Sequence, residues 1–321
     1  VSGGWGFSLF HNGGFHLFLY LKTAHFLRFG APDGGKRKLP PMSANRLFLF
    51  CANSFMQPLF SQVCCIDSGA GSGRFNMEFD IRLMRAFADR SFQREFGGGC
   101  CLWRFYAWSP PAVSLGKNQN PAEIDRERCR ADGVDVVVRP TGGRAVFHAD
   151  ELTYSFFATT PLPNEVIYQM VHETIARALS RVGVEAEFCR SQPDFRARYA
   201  SPESVSCFTA SARYELQVNG RKIVGSAQRR NGNVLLQHGS LPLSMRHRQL
   251  SRYLAGASRE LVESVDADME RKTASLDEFT DAGYADLVPL IIAEAGNSAG
   301  SATKILTPGE IERLDGFQQS L

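Results

Sequence analysis

The chain has 321 residues, 44% hydrophobic and 21% charged, with a formal net charge of +3 at pH 7. That length and apolar content allow a sizeable core in one or two domains, and the charge bias is too small to argue for a nucleic-acid partner. Eight cysteines show no C-x-x-C and no paired spacing with histidines, which argues against a structural zinc site and suits reduced, cytoplasmic thiols.

Residues 1–63 are rich in Phe, Leu, Gly and His and follow neither a helical nor a strand period. Leu47–Cys65 is uncharged, but Asn53, Gln57, Pro58, Ser61 and Gln62 make it a poor spanning helix, so no membrane role is expected. The stretch 1–63 reads as a disordered or spurious N-terminal extension, and 64–321 as one domain. From Ile66 the pattern becomes regular. Ser72 is placed to cap a helix through about Arg90, with Phe75, Phe79, Leu83 and Phe87 as its apolar stripe. Gly97–Gly99 breaks it, and Leu102–Tyr106 and Ala112–Leu115 read as strands. Pro121–Asp132 is expected to be a helix, and Val134–Arg139 a β-branched strand that Pro140 ends.

The loop Thr141-Gly142-Gly143-Arg144 follows. Two glycines permit a sharp turn with bared N–H groups, and Arg139 and Arg144 bracket it with permanent charge, which suits a phosphate or carboxylate as well as it suits a plain tight turn. His148 stands near the loop's end, as a structural hydrogen-bonding residue or as an acid–base group. Leu152–Thr159 is a strand; Asn164–Val182 is a buried helix closed by Gly183; Val184–Phe188 is a short strand.

A polar stretch 190–205 leads to Cys207 and then to a three-strand meander. Asn219-Gly220 supplies the positive φ angles of a two-residue hairpin turn, pairing Val218 with Arg221, Leu216 with Ile223 and Gln217 with Lys222. Gly225, Ser226 and Ala227 are too small to cover the sheet, so another group can approach the backbone there. Asn231-Gly232-Asn233 turns the chain into Val234–Gln237. Arg246–Leu254 and Ala257–Val265 suggest helices, Ser275 caps another from Leu276, and Thr307-Pro308-Gly309-Glu310 opens a last one as a capping box. The fold class that follows is α/β (α+β), a mixed, mostly antiparallel sheet covered by helices.

The wording of three stretches adds a resemblance. R-P-T-G-G-R-A-V-F-H (Arg139–His148), E-L-T-Y-S (Glu151–Ser155) and S-C-F…G-R-K-I-V-G-S-A (Ser206–Ala227), with Asn76-Met77 and Asp80 upstream, resemble the lipoate–protein ligase and octanoyltransferase family. The nearest pattern is that of its cysteine-dependent octanoyltransferases. The resemblance implies a biotin/lipoate-ligase-type catalytic domain without a separate accessory domain. It also implies transfer of an octanoyl group from acyl carrier protein, through a thioester on Cys207, to a lysine of an apo lipoyl domain or the glycine cleavage H protein. Cys207 would be the nucleophile and Lys222 the proton shuttle. Arg139, Thr141, Gly142, Gly143, Arg144, His148, Gly225 and Ser226 would bind substrate. Relatives often carry H-D where this chain has His148-Ala149-Asp150, which displaces the carboxylate. No metal or cofactor is implied for the transferase; ATP and Mg²⁺ would be needed for the alternative, a lipoate–protein ligase. A third reading is a non-catalytic lipoyl-carrier binding protein.

Overall fold

The computed structural model describes residues 59–189 and 215–314. Strand β1 (Gln62–Gly71) runs parallel to β2 (Cys100–Trp108), with Cys65 beside Trp103. The chain between them forms α1 (Gly73–Ala88) and the short α2 (Ser91–Phe96). Ser72 caps α1 as its position predicts, its Oγ accepting from Phe75 N at 3.2 Å. The buried stripe is rotated from the expected one: Leu83 and Phe87 are inside, Phe75 and Phe79 only half-buried, and the polar Asn76 and Asp80 are fully buried. A charged partner causes this. Arg104 of β2 projects onto that face and is fully buried with both.

After β2 the chain leaves for a smaller sheet of β3 (Ala112–Leu115), β4 (Asp135–Val138) and β5 (Val146–His148), ordered β4-β3-β5. The expected helix at 121–132 is broken in two. Asn120 caps a 3₁₀ turn at Pro121–Glu123, Asp125 caps α3 (Arg126–Ala131), and Ile124 between them is extended and bridged to Leu254. Two competing caps five residues apart interrupt what composition alone reads as one helix. Val113, Leu115 and Phe147 then pack against Leu250, Tyr253, Val265 and Met269. Those four belong to a 3₁₀ segment, Met245–Tyr253, and to α4 (Arg259–Lys272), where the sequence suggested a helix at 246–254 and another ending near Val265.

The remaining strands are β6 (Glu151–Thr159), β7 (Glu187–Phe188), β8 (Leu216–Val218), β9 (Arg221–Asn231), β10 (Val234–Pro242) and β11 (Thr303–Ile305). With β1 and β2 they form one sheet of order β11-β1-β2-β6-β10-β9-β8-β7, parallel only where β1 meets its two neighbours. Cys65, Cys101, Trp103, Tyr154 and Phe156 face one side, against the helices Asn164–Ser180 (α5) and Tyr284–Ala299 (α6). Cys64, Leu102, Phe157 and Leu236 face the other, against α1, α2 and the chain around Pro308–Glu312 (α7). Because β2 and β6 are covered on both sides, they are buried almost without alternation, and Arg104, Glu151, Thr153 and Ser155 are buried polar groups among their apolar neighbours. Each fully buried aromatic there contributes about 1.5–3 kcal/mol. Asn164 is the first residue of α5 and makes no capping bond; its Oδ1 instead accepts from Arg230 Nε at 2.6 Å. The helix anticipated from Leu276 is a single 3₁₀ turn, Leu276–Glu278, and α6 starts at Tyr284. Among the described residues no helix is long and apolar enough to cross a membrane.

The meander forms much as expected. Asn219 and Gly220 have φ of 51° and 73°, Val218 pairs with Arg221 and Gln217 with Lys222. Leu216 is the exception, pairing with Val224 instead of Ile223. A bulge between Leu216 and Gln217 shifts the register there.

Candidate active site

Where β2 passes from the large sheet to β3 of the small one, the two sheets leave a pocket between them. Its lining comes from both. Trp108, Ser114, Arg139 and His148 line it from the small-sheet side, and Lys222, Gly225, Ser226 and His238 from β9 and β10. Thus Arg139, His148, Lys222, Gly225 and Ser226, separated by up to 87 positions (139 to 226), meet in one cavity. Cys207 lies outside the described residues.

Lys222 follows the hairpin turn by two residues and is 2% exposed. Its Nζ lies 2.9 Å from Glu215 Oε1, with both side chains buried. The same carboxylate oxygen accepts from Tyr168 Oη and from the Ser226 backbone N–H, each at 3.4 Å. Ser226 Oγ is itself bonded to Tyr154 Oη at 2.6 Å and His172 Nε2 at 2.8 Å. Burial pushes the Tyr154 phenol well above its ordinary range, so it remains a neutral hydroxyl. Opposite Ser226 across the ladder stands Gly239, where a Cβ would come within 2.3 Å of Ser226 Oγ. The small residue keeps that hydroxyl in place.

On the other wall, Arg139 is 6% exposed and turns its guanidinium to three backbone carbonyls and the Ser114 hydroxyl. Nη1 donates to Ser114 O at 2.9 Å, and Nη2 to Gly142 O at 2.9 Å and Arg144 O at 2.6 Å, so the arginine ties down the loop that follows it. The loop also rests on Gly116, where a Cβ would fall 1.9 Å from Gly143 O; Gly143 has φ 99°. Thr141 binds His238 Nε2 at 2.6 Å through its hydroxyl. Arg144 reaches away to Glu123, with contacts of 2.9 and 3.3 Å. Thr141, Gly142, Gly143 and Arg144 therefore shape the pocket's edge without being among its lining residues.

His148 is fixed from three directions. Its Nδ1 is 2.8 Å from Glu151 Oε1, its Nε2 is 2.7 Å from Ser114 Oγ, and its ring stacks on Trp108 with centroids 4.1 Å apart. The carboxylate that the displaced H-A-D sequence left unplaced is Glu151, three residues on, while Asp150 is exposed. Burial pushes the Glu151 carboxyl upward, but His148 and the hydroxyls around it outweigh that and hold it below the usual carboxylate range. Thr153 donates to the same oxygen and accepts from Trp108 Nε1 at 2.8 Å, which extends the network into β2.

Beneath the pocket runs a buried ion pair, Arg104 Nη1 to Asp80 Oδ1 at 2.7 Å. Asp80 Oδ2 accepts from Ser155 Oγ at 2.6 Å and stands 3.6 Å from His238 Nδ1. Burial alone would raise the Asp80 carboxyl; Arg104, His238 and Ser155 reverse the effect and lower it. The N-M-x-x-D stretch thus holds Arg104 from two positions a turn apart in α1, and through Asp80 it stands against His238. Glu215, Glu151, Asp80 and His238 had no assigned role from sequence. For Glu151 a signal existed: on the strand that opens E-L-T-Y-S it lies three positions after His148, within side-chain reach.

The arrangement offers a buried ammonium–carboxylate pair on one wall and a hydroxyl–imidazole–carboxylate row on the other, with small residues between. It can bind a group that approaches backbone closely, stabilise a developing anion, and move protons on either side of it. Among the described residues no cluster of His, Cys, Asp and Glu could hold a metal ion.

Comparison with known proteins follows the same outline. A family model described as the lipoyl protein ligase A/B catalytic domain matches residues 72–295. Octanoyltransferase LipM of Kyrpidia tusciae is 35% identical over 253 residues, covering 77% of this chain and 89% of that protein. Octanoyltransferase LipM of Symbiobacterium thermophilum is 37% identical over 268 residues, covering 80% and 92%. Among solved structures, a lipoate-protein ligase A bound with ATP superposes with a TM-score of 0.61 at 18% identity, covering 81% of this chain and 95% of that one. A bi-partite lipoate protein ligase from Thermoplasma acidophilum, studied with its E2 lipoyl domain, gives 0.58 at 16%, covering 82% and 93%. At such identity these structures speak to the fold alone.

Proposed function

The chain belongs to the lipoyl protein ligase A/B catalytic-domain family, and on that premise we propose that it is an octanoyltransferase of protein lipoylation. The observation that carries this is the similarity to octanoyltransferases along nine-tenths of their length, above one-third identity. The enzyme is an acyltransferase whose acceptor is a lipoyl domain. In finer terms, octanoyl-acyl carrier protein is the donor, and the acceptor is a lysine of an apo lipoyl domain or the glycine cleavage H protein. One catalytic domain, starting a few residues before the expected 64 because β1 begins at Gln62, acts in the cytoplasm.

In the proposed reaction the Cys207 thiolate attacks the donor thioester. A carbon–sulfur bond forms to Cys207, the bond to the carrier's sulfur breaks, and the carrier leaves as its thiol after taking a proton from Lys222, which regains one from solvent before the acceptor attacks. The acceptor's lysine amine then attacks the acyl-Cys207 thioester and an amide results. The buried Lys222–Glu215 pair supports the first step, because a fixed ammonium in a water-poor pocket stabilises thiolate and developing oxyanion alike. Neither ATP nor Mg²⁺ enters this chemistry, since the thioester already supplies the activated acyl group.

Intact-protein mass spectrometry after mixing with octanoyl-acyl carrier protein tests the reading. The chain should gain one octanoyl group, lose it to an apo lipoyl domain, and fail to gain it as Cys207→Ser. Lipoate attachment that requires ATP and survives Cys207→Ser would replace the transferase with a ligase.

A further inference from the structure

The transfer from enzyme to acceptor needs a group that Lys222 does not supply. An amine attacking a thioester becomes a better nucleophile as it loses a proton, and a lysine amine, with an unperturbed pKa of about 10.4, holds its proton tightly. Lys222 sits as an ammonium against Glu215 at 2.9 Å, with both side chains buried. An ammonium can donate a proton and cannot accept one in the same step.

On the opposite wall, Ser114, His148 and Glu151 stand in a row, with contacts of 2.7 and 2.8 Å. Glu151 is an acceptor, so His148 Nδ1 carries the proton, and in the neutral ring Nε2 is left to accept from the Ser114 hydroxyl. Arg139 Nη1 occupies one lone pair of Ser114 Oγ at 3.2 Å. The other lone pair remains available to a hydrogen atom entering from the pocket, which Ser114 and His148 both line.

Resting on the transferase reading, we propose that Ser114, His148 and Glu151 form the proton relay that deprotonates the incoming amine. The ammonium proton of the incoming lysine passes to Ser114 Oγ as the Ser114 proton passes to His148 Nε2, and the nitrogen lone pair so freed bonds to the acyl carbon. The carbon–sulfur bond to Cys207 breaks, and the sulfur departs with the electron pair and takes the nitrogen's second proton, leaving the amide and the free thiol. The imidazolium formed is held by Glu151 and returns its proton to solvent. Ser114 is then a further catalytic residue, while Glu151 is a positioning residue that fixes the tautomer and Trp108 one that fixes the ring plane. Acid and base are thereby divided between the two walls.

The test is a comparison of two nucleophiles on the same acyl-enzyme. Wild type, His148→Gln and Ser114→Ala are loaded from octanoyl-acyl carrier protein, freed of donor, and discharged either with an apo lipoyl domain or with hydroxylamine, which is uncharged at neutral pH. The ratio of lysine discharge to hydroxylamine discharge should fall by about 10²–10⁴-fold in His148→Gln and in the same direction in Ser114→Ala. An unchanged ratio, whether or not both rates drop together, would mean that the row only supports the loop, and would overturn the proposal. If His148→Gln does not unfold cooperatively, Ser114→Ala decides, because its backbone carbonyl still holds Arg139. Wild type that takes up no octanoyl group would count against the transferase reading itself, a result visible before the second nucleophile is added.

Discussion

At the scale of single residues, the site is held by charges that have no water to fall back on. Asp80 and Arg104 are both fully buried, and Glu215 and Lys222 nearly so. Removing one member of such a pair leaves the other uncompensated, at a cost of about 3–5 kcal/mol, whereas removing both is far milder. Glu215→Ala should therefore lower stability by that amount, and Glu215→Ala with Lys222→Met should regain at least half of it, as measured by urea unfolding. The pair Asp80–Arg104 adds a pH dependence. The Asp80 carboxyl is lowered in the fold, so the stability it contributes is fully present above the unfolded value of about 3.9 and is lost as pH falls through the folded one. Asp80→Asn should weaken the protein at pH 7 and flatten the acid limb below about pH 4, with urea midpoints at several pH values as the readout. That Lys222 belongs to the pocket was legible because its motif is contiguous; Glu215 was hidden because nothing in a sequence distinguishes a buried glutamate from a solvated one.

At the scale of elements, turns and strands were more legible than helices. Asn219-Gly220 and Ser72 act through their own backbone and immediate neighbours, so their chemistry reads locally. The 3₁₀ segment Met245–Tyr253 and the divided 121–131 stretch depend on what packs against them, namely β5 and the bridge from Ile124 to Leu254. The leucine register at 216 was missed for a related reason, since a bulge inserts a residue that strict alternation cannot anticipate. The glycine-rich loop presents a sharper case. Its need for glycine was read at positions 142 and 143, yet the closest approach is at Gly116, on the strand end beneath it. Gly116→Ala should force the Gly143 carbonyl away, cost about 1–3 kcal/mol in backbone strain, and slow acyl transfer more than it lowers stability. Paired urea titrations and single-turnover rates check this.

At the scale of the whole molecule, the pocket depends on two sheets that the chain joins where β2 leads into β3. Fold class was legible because alternating and continuous apolar runs follow sheet coverage; the row of Ser114, His148 and Glu151 was not, because topology gathers it from three strands, β3, β5 and β6. The same holds for the boundary of the ordered sheet. Periodicity suggested a start near Ile66, but β1 begins at Gln62, and Phe60, 3% exposed, packs edge-on against Phe156 at 5.7 Å. A chain trimmed to begin near residue 64 would discard both. Phe60→Ala should cost about 3–5 kcal/mol, and a truncation at Leu59 should be more stable than one at Cys64, as thermal unfolding of the two would show.

The indole of Trp108 lies flat against the imidazole of His148, 13° from parallel. The chain contains three tryptophans: Trp103 sits 1% exposed inside the apolar core, and Trp5 lies outside the described residues. Electron transfer from an excited indole to a protonated imidazole in contact with it quenches emission. The enzyme thus carries its own optical gauge: the Trp108 signal, isolated by Trp5→Phe and Trp103→Phe, reports in real time whether His148 holds a proton, without a label or a coupled assay.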